Sequence, residues 1–316
     1  MRPATPPVYL RAPAYSHGTL RPIDEIAELQ ADPDLLATLH AVGLETYARH
    51  DGAVEELAAA VLRDTLRAAG LQGGDIDAFV YASSLYSRGA VHDTMAPSRL
   101  MGRIAQQAGL TRAVPHGVSF TQCVNTVSAF ELARGLVLAG ARHVLVLAAD
   151  RIEGQSRMVE PGISVISDTA GCLLVSAERG VGPALRIDNV AHFVDWSLQD
   201  VKTEDDFGEY VKRTVGGMSQ AIGALKQADG LAAADYAQLL TNTINHSVVR
   251  IFSRASGLPP DRVYRGNVNR LAHCDAADVI VNLKDWLDLR RAAAGERVIL
   301  AANGPFAWGA VSATLC

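Results

Sequence analysis

Cysteine is scarce in this 316-residue chain: Cys123, Cys172, Cys274 and Cys316 are all it has, and none stands in a CxxC spacing. That pattern announces no redox or metal motif, implies reduced thiols, and leads us to expect no metal site. Long hydrophobic runs are missing as well. The most apolar stretch, "HVLVLAA" at 143–149, is far shorter than the ~20 residues that cross a bilayer, so no membrane partner is expected. Positive charge is not in surplus: 29 Lys and Arg against 34 Asp and Glu give a net charge of -5, and the basic residues are scattered. A phosphate-tracking surface is thereby excluded, and nucleic acid with it. The first residues show no charged segment leading into an apolar one, so a cytoplasmic location is expected. Low-complexity tracts are absent.

What the chain does have is apolar content, 49% of its residues, enough for a large core in two domains or one duplicated one. The periodicity alternates. Residues 8–18 read as a strand and 51–69 as a helix stopped by Gly70; 76–84 read as a buried strand. A helix opening at Pro97-Ser98 and closing at Gly109 leads to a strand at 114–120, and the segment after Cys123 is helical up to strand 143–149. Strand "DTAGCLLVSAERG" ends a first half, residues 1–180. Residues 181–316 repeat the grammar: a strand at 184–195, a helix from about Asp205 to Ala228, a strand at 236–243, helices at 246–257 and 274–294, and strands at 297–303 and 308–316. Alternating strands and helices make this an α/β layered fold, and two halves of similar order suggest duplication. Loops at 85–96 and 151–168 are long and polar enough to shape a site.

In "SFTQCVNTVSAFELARG" a strand turns at Gln122-Cys123 into a long helix. A thiol at a helix N-terminus meets unpaired backbone N–H groups and the positive end of the helix dipole, which favour the thiolate. The competing interpretation is a small buried hydrophobe, the common state of a cytoplasmic cysteine. Placement alone does not choose between them.

The strand, the cysteine elbow, the apolar helix and "HVLVLAAD" resemble the nucleophile region of the thiolase superfamily, in particular ketoacyl-ACP synthase III. "APSRLMGRIAQQAGL", "DTAGCLLVSAE" and "NGPFAWGA" resemble, in order, that family's segment before the nucleophile, its Asp-x-Ala-Gly strand and its closing "GGGFTWGA". The resemblance covers nearly the whole chain. It implies a thiolase fold, duplicated as five αβαβα layers, a homodimer, and an acyl group carried as a thioester on Cys123. It implies no tightly bound cofactor, and a donor that is acyl-CoA or an acyl-phosphopantetheine carrier protein.

Two departures from the family pattern are informative. Condensing enzymes carry a histidine opening an "HQAN" motif, about fifteen residues before the glycine of a "LG-x-P-x-D-x-V" stretch. Here "SGLPPDRV" supplies that landmark, and fifteen residues before Gly257 stands Asn242. The family's second partner is the asparagine of "GNTSAAS"; the corresponding "AHCDAAD" places His273 there. The two partners are exchanged, giving Cys123, Asn242 and His273. A different register makes His246 the base in place of His273. Asp275 and Asp278, which follow His273, read as acids complementing a helix dipole. Ala96 stands where the condensing enzymes place a large residue that reaches into the partner subunit's acyl pocket.

By the same resemblance, the amides of Cys123 and Gly304 form the oxyanion hole. His273 is then the base for the thiol and afterwards for a small-molecule acceptor bearing a hydroxyl, amine or thiol. Asn242 orients or donates to the oxyanion. The family members with an exchanged histidine are acyltransferases of antibiotic biosynthesis that use a carboxylate near the closing Gly-rich stretch, where this chain offers Asn303 as the orienting group. Three functions follow: acyl transfer from a carrier protein or CoA in polyketide or antibiotic metabolism; decarboxylative condensation by a β-ketoacyl synthase; and a non-catalytic partner subunit of a heteromeric synthase.

Overall fold

The computed structural model describes residues 6–84, 96–159, 162–198, 207–289 and 293–316, together with the backbone course of the elements they form. Nine strands join in one sheet: β1 (Tyr9–His17), β2 (Ala78–Ala82), β3 (Val114–Val118), β4 (His143–Asp150), β5 (Thr169–Ser176), β6 (Ala184–Val194), β7 (Gln238–Leu240), β8 (Arg297–Asn303) and β9 (Ala307–Leu315). Their order is β7-β8-β9-β6-β1-β5-β4-β2-β3. The halves meet through a short antiparallel pairing of β1 with β6, Tyr9 opposite Arg186 and Arg11 opposite Ala184.

Outward from that seam the two half-sheets run alike. β1, β5, β4, β2 on one side answer to β6, β9, β8, β7 on the other, each with two antiparallel pairings followed by one parallel. The first half adds β3, parallel to β2. Among the described residues, the second half has a single parallel bridge at the matching place, Leu239 to Val263.

Six helices cover the strands: α1 (Val54–Ala69), α2 (Ala96–Gln107), α3 (Asn125–Leu138), α4 (Phe207–Asp229), α5 (His246–Ser256) and α6 (Asp278–Leu289). Side chains alternate across a strand, and the alternation sorts the core into layers. Phe79, Tyr81, Leu145 and Leu147 pack with Leu57, Val61 and Leu62 of α1 and Ile104 of α2. Their neighbours Val80, Val144 and Val146 face the other way, against Phe130 of α3 and Ile280 of α6, and share that layer with Val298, Leu300 and Val311 from the second half. Ile299, Ala301 and Trp308 turn to Met218 and Ile222 of α4 and Phe252 of α5. The result is helix, sheet, central helix pair, sheet, helix, as the duplicated thiolase fold requires. Strands covered on both faces need apolar residues at every position, which is why "HVLVLAAD" is buried throughout. Each Leu, Val or Phe taken out of water contributes about 1.5–3 kcal/mol, so the central layer is where the fold is anchored.

The expected elements differ from the observed ones at informative places. The strand expected over 236–243 stops at Leu240, because Thr243 turns its N–H to the carboxylate of Asp278 and Asn245 caps α5 with its side chain. The single helix expected over 274–294 is a 3-10 turn, Asp275–Ala277, followed by α6. Thr19–Pro22 pairs with Thr46–Arg49, and a helix at Pro33–Ala41 lies between them, in a region the periodicity left without an element. Of the two loops expected to shape a site, residues 85–95 and 160–161 lie outside the described residues. Ala96 begins α2 and is half-buried.

Candidate active site

Two helices of the central layer, α3 and α6, start in the same unusual way. Each is preceded by one 3-10 turn, Gln122–Val124 or Asp275–Ala277. Each of those turns opens on a non-glycine residue with positive φ, 49° at Gln122 and 50° at Asp275. Such a conformation costs on the order of 1–3 kcal/mol and persists only where its surroundings enforce it. Around Gln122 the enforcement is visible. The Asn125 side chain accepts from the Thr121 N–H and hydroxyl, both at 2.9 Å, and donates to the Ser83 carbonyl at 2.9 Å. Asp150, ending β4, accepts from the Ser83 hydroxyl at 2.7 Å. Three strand ends are thus tied to the elbow that presents Cys123.

The second elbow presents His273. Its backbone is clamped by the short strand beside it, its N–H donating to Val165 and its carbonyl accepting from Ser167. The ring Nε2 lies 3.4 Å from the Cys123 sulfur. The other nitrogen, Nδ1, donates to Asp278 Oδ2 at 2.6 Å. That contact assigns the Nδ1-protonated tautomer, leaving the Nε2 lone pair for the thiol. Asp278 is itself held by the N–H of Cys274 at 2.8 Å and of Thr243 at 2.9 Å. Cys123, His273 and Asp278 are all buried, 6%, 2% and 1% exposed. They form a relay of nucleophile, imidazole and carboxylate in a site closed to bulk water.

Electrostatics in this site are set by burial and by two acids. Burial disfavours the His273 imidazolium, but the Asp278 carboxylate, assisted by the sulfur of Cys123, outweighs it and holds the ring well above its ordinary pKa. Burial pushes the Cys123 thiol up, His273 pulls it back, and Asp275 and Asp278 add to the rise. The position of the cysteine at the mouth of α3 therefore does not by itself make a free thiolate: the thiol is held above its ordinary pKa, with burial the largest cause. The arrangement allows a thiolate to form as the thiol proton passes to His273.

The other expected residues take different places. Asn242 accepts the Asn303 N–H at 2.8 Å and points its amide nitrogen to Asp278 at 3.4 Å, so it steadies the acid and the closing hairpin. The orienting role expected of Asn303 falls to Asp278: Asn303 meets the site through its backbone, and its side-chain oxygen is buried without a hydrogen bond. The amide of Gly304 donates to the Ala307 carbonyl at 2.8 Å, so the turn of the closing hairpin takes the donor expected in the oxyanion hole. What Gly304 contributes is room: a Cβ there would stand 2.5 Å from the Thr121 carbonyl, next to the elbow. His246 starts α5 with its ring against Gly43, while His273 touches the sulfur. Cys274 and Cys172 are buried, and Cys172 is pushed up to about 12 by its burial.

Sequence reasoning missed two acids. Asp278 is the third member of the relay, and Asp275 Oδ1 lies 3.6 Å from His273 Nε2 and 3.9 Å from the Cys123 sulfur. Both were assigned to the dipole of a helix. The available signal is that Asp278 leads into "VIVNL", a run whose apolar residues cover every face of a first turn, so acids at its start are enclosed with it.

No protein-family model matches the chain. Among curated proteins it is similar to the beta-ketoacyl-[acyl-carrier-protein] synthase III of Sphingopyxis alaskensis, 26% identical over 286 residues, covering 83% of this chain and 84% of the relative. The synthase III of Mesorhizobium japonicum is also 26% identical over 286 residues, covering 84% and 85%. Solved structures share the fold. ChlB3, an acyltransferase, matches with a TM-score of 0.80 at 16% identity over 98% of this chain and 97% of its own. FabH of Pseudomonas aeruginosa, a 3-oxoacyl-(acyl carrier protein) synthase III, matches with 0.78 at 19% identity over 98% of each. Sequence likeness along most of the chain and a shared layered fold agree: the chain is similar to beta-ketoacyl-[acyl-carrier-protein] synthase III and has the thiolase fold.

Proposed function

We propose that the protein is an acyltransferase that carries its acyl group on Cys123. The observation behind this is the buried relay, Cys123 Sγ to His273 Nε2 at 3.4 Å and His273 Nδ1 to Asp278 at 2.6 Å. A thioester carbonyl approaches the sulfur, His273 takes the thiol proton, and the thiolate forms a carbon–sulfur bond. The oxyanion lies toward Cys123's own N–H, in the first turn where no intrahelical acceptor exists. The tetrahedral adduct collapses with cleavage of the donor's carbon–sulfur bond, and the departing pantetheine thiolate receives the proton from His273. In the second half His273 takes a proton from an acceptor hydroxyl, amine or thiol. The acceptor attacks the acyl-cysteine, and Cys123 leaves and is reprotonated.

Asp275 separates this reading from decarboxylative condensation. Condensation builds an enolate oxygen in the pocket beside the sulfur, and the Asp275 carboxylate lies in that pocket, 3.9 Å from the sulfur and 3.6 Å from His273 Nε2. An enolate oxygen about 4 Å from that carboxylate would be opposed by about 4 kcal/mol at an effective dielectric of about 20, an upper bound of roughly a thousandfold in rate. In acyl transfer the acceptor itself brings no negative charge, and the only anion to hold is the tetrahedral oxyanion directed to the Cys123 N–H. Donors on CoA or on a carrier protein both fit the chemistry, and secondary metabolism is the setting we assign from the exchanged partners. Strand β3 lies at the edge of the sheet with mostly exposed side chains, the surface we assign to a homodimer.

The deciding measurement is intact mass after incubation with a panel of acyl-CoA and acyl-carrier donors. An acyl adduct on Cys123 that a hydroxyl, amine or thiol acceptor discharges, with no CO2 released from malonyl donors, is the expected result. Absence of any adduct across the panel would refute both enzymatic functions and leave a partner subunit, whereas Cys123-dependent CO2 release would establish the ketosynthase.

A further inference from the structure

Cys123 Sγ, His273 Nε2 and Asp275 Oδ1 form a nearly equilateral triangle, with sides of 3.4, 3.9 and 3.6 Å. Their three ligand-capable atoms all lie within 4.8 Å of one another, and all three residues are buried. Zinc with bonds of about 2.3 Å to sulfur and about 2.0–2.2 Å to nitrogen and oxygen, at tetrahedral angles, holds its ligand atoms roughly 3.3–3.6 Å apart. The side chains therefore stand near the positions a zinc ion would impose, with the fourth position left for water or a ligand. We propose that this triangle is a zinc(II) site, and that the ion holds the enzyme in a reversibly inhibited, unacylated state.

The surroundings are those of a metal-binding histidine. Nδ1 donates to Asp278, and a carboxylate on the far nitrogen both fixes the ring and makes Nε2 a better ligand. Asp278 is locked in turn by two backbone N–H groups. Asp275 is presented from a backbone with φ 50°. A thiolate, an imidazole and one carboxylate form a set that selects zinc or a similar transition ion over magnesium or calcium, which take oxygen ligands. Binding forms one bond each to sulfur, nitrogen and oxygen. It expels the thiol proton, and any proton on Nε2, to solvent, with no change of oxidation state. The ion then occupies the sulfur lone pair that attacks the thioester.

The proposal concerns the ligand triangle and stands whichever acyl reaction the site performs. Its test is alkylation of the intact, metal-stripped protein by iodoacetamide, with and without zinc chloride, followed by peptide mass mapping. Cys316, the one cysteine that is not fully buried, serves as the internal reference. Zinc at low micromolar concentration is expected to slow modification of Cys123 about tenfold or more while leaving Cys316 unchanged, and magnesium is expected to do nothing. Equilibrium dialysis should find one zinc per chain, lost in Cys123→Ser and weakened at least about tenfold in Asp275→Asn, with circular dichroism checking that each variant is folded. Unaltered Cys123 alkylation in the wild-type protein at ~100 µM zinc, well above the affinity such ligand sets reach, overturns the site. So does zinc binding that both folded variants retain.

Discussion

Replacing Asp278 with asparagine isolates the charge that the structure puts behind His273. The side chain keeps its size, but its geometry is constrained. Oδ2 accepts from His273, from the Thr243 N–H and more distantly from Asn242, while Oδ1 accepts from the Cys274 N–H. An amide must therefore keep its oxygen toward His273 and turn its NH2 against Cys274, one donor facing another, at a cost of about 1–3 kcal/mol in stability. The tautomer of His273 survives while the negative charge is lost. That charge, at an effective dielectric of about 20 and a separation near 4 Å, stabilises the imidazolium by about 4 kcal/mol. Because the imidazolium forms as the thiol is deprotonated, acylation of Cys123 should slow by about 10²–10³-fold, the upper figure being the whole charge effect. The sign of the pH effect follows. In the wild type His273 is held well above its ordinary pKa, so acylation should rise with pH along a limb lying on the alkaline side of ~6.5. In Asp278→Asn that limb moves down toward ~6.5, and the deficit is largest at high pH. Quenched-flow intact-mass kinetics with one good acyl donor across pH 5.5–9.5 measures both quantities. A folded Asp278→Asn protein that acylates at the wild-type rate, with its pH limb unmoved, refutes the relay.

Gly304→Ala places a Cβ 2.5 Å from the Thr121 carbonyl; thermal melting should show about 1–3 kcal/mol of destabilisation, with acylation reduced because the Cys123 elbow is displaced. Asp275→Asn removes the like charge beside the sulfur and should raise malonyl loading or CO2 release by up to about a thousandfold, measured with radiolabelled malonyl-CoA. No gain at all would show that the carboxylate is not what opposes the enolate. His246→Ala should leave the acylation rate within about twofold, since its ring lies on Gly43 and His273 already serves the sulfur; a hundredfold loss would restore His246 as the base. Asn242→Ala should cost about tenfold, because it frees the Asn303 N–H and loosens Asp278 without touching the sulfur.

The chain's own periodicity carries much of the architecture. Unbroken apolar runs such as "HVLVLAAD" and "TAGCLLVS" can be only strands covered on both faces, and the apolar 3.6-residue stripe of α1 ends at a glycine in the left-handed conformation. These patterns are local, so the sequence alone determines the strand–helix alternation and the elbow at Cys123, and with the family motifs it also names His273 as the partner. What tertiary structure decided is everything that depends on who meets whom across long stretches of chain. Cys123 and His273 are 150 residues apart, and their contact arises because duplicated halves place α3 and α6 side by side in one buried layer. The same layer converts Asp278 from a solvent-facing helix acid into the imidazole's partner, and brings Asp275 to the sulfur. In water an acid at a helix start answers to the dipole; enclosed with a histidine and a thiol, it answers to them, because Coulomb forces strengthen as the solvent is excluded.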